Sequence, residues 1–483
     1  MIRPPIVTIL GHVDHGKTTL LDHIRKSSIT TKEHGGITQR IGAYAIDTKI
    51  KGYKNSLITF IDTPGHEAFS QLRARGAHVA DIAILIIDAK DSLKPQTIES
   101  ISHIKAANIP FIVALNKMDL PDAQPAKVKK DLLKHEVVTE DHGGDIIAIP
   151  ISAKKGTGVN DLLESILIIA ADQQLTYEEQ ADIEAFIIET KKDKRGIVAS
   201  AIIKNGILKT GDDVYAGQQK VRVRSMLDDL GKPLAEARPA TPFELLGFSQ
   251  LPEVGTKLTS QHVAEEKKEQ KQTKHRGPVS VEDIMHSAQQ ESKVLSLIIK
   301  ADSQGSLDAI TSTLSKNEHI TIILSAVGGI NQSDIFLGKT TKSIVIGFSV
   351  PVDNQAKELA KQEKVIIKSY EIIYELVEEL EEVSELIRER EQQAKNLKAM
   401  AKVIASFIIE NQTVFGCKIT KGKVDLGDKV EIYRNDVLVG ESKLSSLRIR
   451  AKSVQTVKKD QECGMLFEPA LDIKEGDMLK FTL

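Results

Sequence analysis

Apolar runs alternate with amphipathic stretches of helical spacing in the first part of the chain. The runs read PIVTIL, LITFIDT, AILIIDA, FIVALNK and IIAIPISA. Continuous apolar strands separated by helices indicate a parallel sheet that is covered by helices on both faces. Such sheets bind ligands at the carboxyl ends of their strands. The pattern therefore predicts an α/β domain over residues 1–172 with a binding site at one sheet edge.

The rest of the chain shows further changes of pattern, and together they predict a multidomain α/β and β fold. Short alternating strands broken by glycine turns predict a β-barrel over 183–262, followed by a charged linker over 263–289. Four apolar runs with helical stretches between them predict a small α/β/α domain over 290–370. Apolar spacings of three and four predict a linker helix over 371–395. The similar segments KNGILKTGDDV and TKGKVDLGDKV predict a second barrel over 396–483.

Composition narrows the cellular setting of the protein. The 483 residues are 41% hydrophobic and 27% charged, and no run reaches the roughly 18 apolar residues of a membrane span. The 2 cysteines cannot form a disulfide framework, and the start MIRPPIVTIL leaves no room for a targeting segment. We therefore expect a cytoplasmic protein without a membrane partner. Because the acidic helix over 371–395 keeps no apolar heptad seam, we also expect a monomer. An organellar matrix is expected only if a targeting segment has been removed.

The segment GHVDHGKTTL matches the phosphate-binding pattern G-x-x-x-x-G-K-[ST] between a predicted strand and a predicted helix. Its glycines let backbone amides approach phosphate oxygens, and the helix N-terminus adds a partial positive charge. Lys17 is expected to reach the β- and γ-phosphates, and Thr18 to bind Mg²⁺. The predicted phosphate-binding residues are Gly11, His12, Val13, Asp14, His15, Gly16, Lys17, Thr18 and Thr19.

Two later segments predict which base is bound. A carboxylate at Asp119 can accept hydrogen bonds from both N1–H and the exocyclic amine of guanine, whereas adenine offers no such pair of donors. The segment SAK ends the next strand and can support the base from the other side. The predicted base-binding residues are Asn116, Lys117, Met118, Asp119, Ser152, Ala153 and Lys154. The predicted nucleotide is GTP.

The segment DTPGHEAF predicts how the γ-phosphate is sensed. Asp62 can hold Mg²⁺ through water, Gly65 can offer its N–H to the γ-phosphate, and His66 can orient the attacking water. Upstream, Thr38 follows two glycines and offers a hydroxyl to the metal, as in a loop that orders on GTP. The residues predicted to contact the nucleotide here are Asp62, Thr63, Pro64, Gly65 and His66.

These motifs, together with GGITQRIGAY and the order of the domains, resemble bacterial translation initiation factor two and its organellar relatives. The resemblance covers essentially the whole chain, as a short form without an N-terminal extension. It implies a ribosome-stimulated GTPase that brings formylmethionyl initiator tRNA to the small ribosomal subunit and promotes joining of the large subunit. It also implies that His66 is catalytic, that Val13 and Ile37 form an apolar gate beside it, and that Asp14 can help to hold a monovalent cation.

The same resemblance places initiator-tRNA recognition in the last barrel. It implies that Cys417, Glu462, Cys463 and Gly464 contribute to this site, although Cys463 can equally be an ordinary buried thiol. The family usually has a basic run with an aromatic residue followed by two acids, whereas this chain reads SLRIRAKSV. Arg448 and Arg450 keep the positive charge that contacts a tRNA backbone.

Two other functions fit parts of the pattern. An elongation-type or specialised tRNA-delivery factor would share the nucleotide motifs, but the KADSQGS segment and the long acidic helix between the two barrels argue against it. A ribosome-bound scaffold with a vestigial GTPase is a second alternative. The complete set of Lys17, Thr18, Thr38, Asp62 and His66 argues against that reading.

Overall fold

The computed structural model describes residues 1–25, 42–53, 56–65, 67–261, 294–409, 412–434, 437–450 and 452–482. Three of the predicted functional residues, Ile37, Thr38 and His66, lie outside these ranges, as does the predicted linker 263–289. The chain divides into two compact units, residues 1–380 and 381–483. In the described part, no helix has both the length and the apolar character needed to cross a membrane.

The first part of the chain forms a six-stranded sheet in the order β2-β3-β1-β4-β5-β6. Only β2 runs antiparallel to its neighbour, and the other pairs are parallel. The strands are β1 Ile6–Leu10, β2 Gly42–Asp47, β3 Leu57–Asp62, β4 Ile82–Asp88, β5 Phe111–Asn116 and β6 Ala148–Pro150. The helices are α1 Lys17–Arg25, α2 Ser70–Val79, α3 Pro95–Ala107, α4 Pro125–Leu133 and α5 Val159–Asp172.

Burial on both faces explains why the central strands β1, β3, β4 and β5 are mostly apolar. Successive side chains of a strand point to opposite faces of the sheet. Along β4, Ile84 and Ile86 join the core cluster that α1 and α5 cover, whereas Leu85 and Ile87 join the cluster that α3 and α4 cover. Every residue of β4 is therefore buried, and the predicted nucleotide-binding residues lie at strand ends, in the loops that follow and in the first turn of α1.

An antiparallel barrel follows in the same unit. Its main sheet has the strand order β11-β10-β16-β7-β8-β15-β12-β13, and β14 pairs with β9. The strands are β7 Glu184–Asp193, β8 Gly196–Asn205, β9 Leu208–Lys209, β10 Asp213–Ala216, β11 Gln219–Arg222, β12 Ser225–Leu227, β13 Pro233–Leu234, β14 Glu236–Ala237, β15 Pro242–Leu246 and β16 Lys257–Thr259. Alternate residues of its strands point inward and form one apolar core.

A small parallel sheet completes the first unit, with the strand order β18-β17-β19-β20. Its strands are β17 Leu295–Ala301, β18 Ile320–Val327, β19 Ile344–Phe348 and β20 Ile367–Tyr370. Its helices are α6 Gln304–Leu314, α7 Gln332–Thr341 and α8 Asn354–Glu363. Phe69 and Leu72, at and after the short 3-10 helix Glu67–Phe69, pack into the core of this sheet, and Arg75 pairs with Asp308 on α6 at 2.8 Å. The segment after β3 therefore contacts both the first, six-stranded sheet and the small parallel sheet.

Helix α9, Ile373–Asn396, contains the boundary between the two units. The second unit is a barrel in which the order β21-β28-β23-β24-β27-β22 is closed by pairing of β22 with β21. Its strands are β21 Leu397–Ile409, β22 Gln412–Asp425, β23 Lys429–Arg434, β24 Val437–Ile449, β25 Lys452–Ser453, β26 Thr456–Lys458, β27 Glu462–Glu468 and β28 Met478–Thr482. The predicted fold class is confirmed, while the predicted domain boundaries stay predictions.

A buried ion pair ties the chain start to the first sheet. Both outer nitrogens of Arg3 donate to Asp81, at 2.5 and 2.7 Å, and the Ile6 N–H donates to the same carboxylate at 2.9 Å. Burial by itself would raise the pKa of Asp81, but hydrogen bonding and charge from Arg3, with Lys204 at 3.4 Å, outweigh it and the pKa is lowered. The charged carboxylate is therefore the form that the fold stabilises.

We predict that Asp81→Asn destabilises the first unit at pH 7 by about 3–5 kcal/mol, because it leaves the Arg3 charge buried without its partner. Since the folded pKa is lowered, this stabilisation is complete above the unfolded value of about 3.9 and is lost as the pH falls through the folded pKa. The difference between the unfolding midpoints of variant and wild type should therefore shrink below about pH 4. Asp122→Asn is the matched control, because Asp122 is an exposed partner of Lys90. Equal midpoints for wild type and Asp81→Asn at pH 7 would contradict the prediction.

Candidate functional site

The loop between β1 and α1 has a backbone that excludes side chains at two of its glycines. Gly11 and Gly16 have φ values of 151° and 95°, in the region that favours glycine. A Cβ atom would lie 2.4 Å from the Ile86 carbonyl oxygen at Gly11, and 2.3 Å from Nδ2 of Asn116 at Gly16. The loop is therefore pressed against β4 on one side and the end of β5 on the other.

Lys17 is held inside this loop. Its Nζ donates to the carbonyl oxygens of Gly11 at 3.0 Å and His12 at 2.7 Å, and the side chain is buried. Burial lowers the pKa of Lys17 to about 8, with Asp62 acting in the opposite direction and Arg73 adding to the decrease. The buried, positively charged ammonium group of Lys17 therefore offers a place where a phosphate anion can bind.

The two histidines of this loop, His12 and His15, differ from Lys17 in their charge. Burial, followed by the neighbouring His12 and Lys17, lowers the pKa of His15 to about 4, and burial also lowers the pKa of His12. Their rings lie edge to face with centroids 5.1 Å apart. Both imidazoles are therefore neutral near pH 7, and the positive charge of the loop comes from Lys17.

Asn116 joins the phosphate-binding loop to the predicted base-binding loop. Its Nδ2 donates to the His15 carbonyl oxygen at 2.8 Å, and its Oδ1 accepts from the Ala153 N–H at 2.9 Å. The side chain is only 2% exposed. One amide group at the end of β5 therefore fixes the loops that follow β1 and β6 relative to each other.

The predicted guanine-reading carboxylate is held from the next loop. The Ser152 hydroxyl donates to Oδ1 of Asp119 at 2.8 Å, and this bond lowers the pKa of Asp119. The Met118 N–H donates to the Ile151 carbonyl at 3.1 Å, and Lys154 next to this loop is exposed. Asp119 is thus an ionised acceptor in a fixed position, as recognition of the guanine N1–H and amine requires.

The loop after β3 lies against the phosphate-binding loop. The Thr63 hydroxyl donates to the Ile9 carbonyl at 2.8 Å. A Cβ atom at Gly65 would lie 2.3 Å from Lys17 Nζ and 3.1 Å from the Val13 nitrogen. Gly65 therefore borders the space next to Lys17 where a terminal phosphate would fit.

The predicted magnesium ligands are divided between described and undescribed parts of the chain. Thr18 lies in the first turn of α1. Asp62 is the last residue of β3 and pairs in register with Ile9 of the neighbouring strand β1. A hydroxyl and a carboxylate are hard oxygen ligands that suit Mg²⁺ beside phosphates. These two residues would hold the ion from the protein side, and Thr38 stays a prediction. Asp14 is exposed and has a φ of 63°. Its predicted role in holding a monovalent cation also stays a prediction.

Three supporting residues were missed by the sequence analysis. Asp88, at the end of β4, pairs with Lys117 at 2.7 Å, and Oε1 of Gln96 accepts from the Val13 N–H at 3.2 Å. Arg73 donates to the Pro64 carbonyl at 3.0 Å. Asp88 carried a usable signal, because it ends an apolar strand as Asp62 does. Gln96 and Arg73 lie on helices without a motif, and only the folded chain brings them to the loops.

The residues predicted to bind tRNA lie on three adjacent strands of the last barrel. Cys417 of β22 pairs in register with Cys463 of β27, and Gly464 of β27 pairs with Arg448 of β24. Arg448 and Glu462 are exposed, and Gly464 is half-buried. These residues form one continuous strip, and Arg450 follows it in the turn after β24 with φ 46°.

The two cysteines of this strip point into the barrel core. Cys417 and Cys463 are 1% and 6% exposed, and both belong to the apolar cluster of the barrel. Both are free thiols, and burial raises the pKa of each. Their placement is that of ordinary buried thiols, so any tRNA contact on this strip would come mainly from Arg448, Glu462 and Gly464. The role of the whole set stays a prediction.

Comparisons with known proteins agree with this architecture. Residues 3–171 match the family "Elongation factor Tu GTP binding domain", residues 182–261 match "Elongation factor G domain 2", and residues 268–381 match "Translation-initiation factor 2". The chain is similar to Translation initiation factor IF-2 from Halothermothrix orenii, at 43% identity over 99% of the chain and 71% of the relative. It is 42% identical to the same factor from Desulforamulus reducens over 100% of the chain and 50% of the relative. The chain thus spans half the length of that relative.

Among solved structures, the crystal structure of GDP-bound aIF5B from Aeropyrum pernix is 26% identical over 100% of this chain and 92% of that chain, with a TM-score of 0.46. The mostly parallel sheet, the phosphate-binding loop and the matched GTP-binding domain define the class of translational GTPases. Within that class, the chain belongs to the translation initiation factor IF-2 family.

We predict that Asn116→Ala weakens GDP binding about tenfold to a hundredfold. The substitution removes the amide that holds the His15 carbonyl and the Ala153 N–H, so nucleotide binding must order the two loops at a cost of about 1.4–2.8 kcal/mol. Calorimetric titration of the nucleotide-free chain measures the effect. Asn354→Ala, at an exposed position at the start of α8, is the control and should bind as wild type does. An unchanged affinity for Asn116→Ala would rule out the joining role of this side chain.

Proposed function

We propose that this protein is a GTPase of translation initiation that binds formylmethionyl initiator tRNA, places it on the small ribosomal subunit and promotes subunit joining with GTP hydrolysis. The observation that carries the proposal is the junction made by Asn116, because it unites the phosphate loop and the base-binding loop in a chain of this family. The similarity to Translation initiation factor IF-2 supports the ribosomal subunits and the initiator tRNA as the partners.

In this proposal the chain's own residues divide the work at the nucleotide. Lys17 neutralises the β- and γ-phosphates, and Asp119 with Ser152 selects guanine over adenine. Thr18, Thr38 and, through water, Asp62 hold Mg²⁺, which neutralises charge on the phosphates. His66 orients the attacking water, and the apolar side chains of Val13 and Ile37 restrict its access until the ribosome is engaged. Asp14 would help to hold a monovalent cation, which would add positive charge beside the phosphates.

The last barrel supplies the tRNA contact in this proposal. Arg448 and Arg450 are exposed around the turn after β24, and the run from Ser446 to Lys459 contains basic residues and no acid. Basic side chains contact the phosphates of a nucleic acid without regard to sequence. Glu462 and Gly464 lie on the neighbouring strand, where they can border the formyl-methionine end. A cytoplasmic location follows from the same function.

We predict that the full chain binds formylmethionyl initiator tRNA at least about tenfold more tightly than unformylated methionyl-tRNA, a difference of roughly 1.4 kcal/mol. Arg448→Ala should weaken both complexes and lower their salt dependence, because it removes a phosphate contact. Filter binding at several salt concentrations measures both effects. Arg222→Ala, an exposed arginine of the first barrel, is the matched control. Equal binding of the two tRNAs would exclude the initiator-specific role.

A further inference from the structure

A fully buried arginine contacts the loop that is expected to sense the γ-phosphate. Arg73 of α2 has 0% exposure. Its Nη1 donates to the Pro64 carbonyl oxygen at 3.0 Å, and its Nη2 donates to both carboxylate oxygens of Glu99, at 2.8 and 2.9 Å. A buried guanidinium with such partners has a defined position, since its planar fork fixes the direction of its donors.

Glu99 provides a fixed anchor for this arginine. It lies on α3, where Ile101 and Ile104 pack into the sheet core, and His103 contacts its carboxylate at 3.0 Å. Burial by itself would raise the pKa of Glu99, but hydrogen bonds from His103, Ser70 and Arg73 outweigh it and lower the pKa to about 2. The anchor is therefore ionised at any pH near neutrality.

The bond to Pro64 determines the direction of the next N–H group. In a trans peptide the carbonyl oxygen and the following N–H point to opposite sides. Because the Pro64 carbonyl points toward Arg73, the Gly65 N–H points away from it. Gly65 itself lies against Lys17 and Val13 of the phosphate-binding loop. If this peptide rotated, the Pro64 carbonyl oxygen would point where the Gly65 N–H now points. The Gly65 N–H could then no longer donate in that direction.

We propose that Arg73 is a positioning residue that holds the Pro64–Gly65 peptide in the orientation in which the Gly65 N–H binds the γ-phosphate of GTP. The inference rests on the proposed function, because it assumes that Gly65 contacts that phosphate. GDP lacks this phosphate, so loss of Arg73 should lower the affinity for GTP more than the affinity for GDP and thereby change the ratio of the two. This residue therefore contributes to distinguishing the two nucleotide states without touching either nucleotide.

The test compares the affinities of the full chain for GDP and for a non-hydrolysable GTP analogue, measured by calorimetry in magnesium buffer. Arg73→Met should weaken binding of the GTP analogue about tenfold more than it weakens binding of GDP, as expected for loss of one charge-assisted hydrogen bond. Arg73→Lys keeps the charge but cannot reproduce both sets of bonds, so it should lie between Met and wild type.

Arg75→Met is the matched control. Arg75 lies on the same helix and pairs with Asp308 on α6, so its removal should leave the ratio of affinities unchanged. Should Arg73→Met fail to fold, Glu99→Gln, which weakens the anchor and keeps its shape, should shift the ratio in the same direction.

The outcomes separate the inference from the proposed function. Wild-type protein that binds neither nucleotide contradicts the proposed function itself. Wild type that binds both, with an Arg73→Met ratio equal to that of wild type, overturns only the inference. A parallel loss of GDP and analogue affinity also overturns it, because it assigns Arg73 a general structural role.

Discussion

The functional site depends on the parallel pairing of strands that are buried on both faces. This constraint leaves the strand interiors apolar and places the chemically active residues at their carboxyl ends. Asp62, Asp88 and Asn116 each end a strand, and the register pairs Asp88 with Asn116 directly. The loops that follow these strands are distant in sequence, but they therefore lie next to each other at one edge of the sheet.

Side chains then fix the loops relative to each other. Asn116 connects the phosphate-binding loop to the loop after β6, and Lys117 pairs with Asp88 at the neighbouring strand end. Lys17 places a buried positive charge at the centre of this frame. Helix α2 extends the frame in two directions, since Arg73 contacts the Pro64 carbonyl while Leu72 packs into the core of the small sheet. Helix α2 therefore contacts both the loop after β3 and the core of the small sheet.

The fold class and the location of the nucleotide site could be predicted from sequence because both depend on local patterns. Apolar runs identified the strands, and glycine spacing identified the loop at Gly11 and Gly16. Gln96 and Arg73 could not be predicted, because a helical glutamine or arginine carries no signal until tertiary contacts place it beside a loop. For Cys463, strand alternation directs the side chain into the barrel core, and its role in a tRNA site stays a prediction. The predictions for Ile37, Thr38 and His66 concern residues outside the described ranges and stay predictions.

The proposed function requires that GTP hydrolysis at this site is coupled to ribosomal subunit joining. The most direct measurement is single-turnover GTP hydrolysis by the full chain alone, with the small subunit and initiator tRNA, and after addition of the large subunit. We expect slow hydrolysis until the large subunit joins and a rise of about a thousandfold or more on joining, which His66→Ala abolishes while GTP binding is retained. A hydrolysis rate that is independent of the large subunit, or equal in wild type and His66→Ala, would contradict the account.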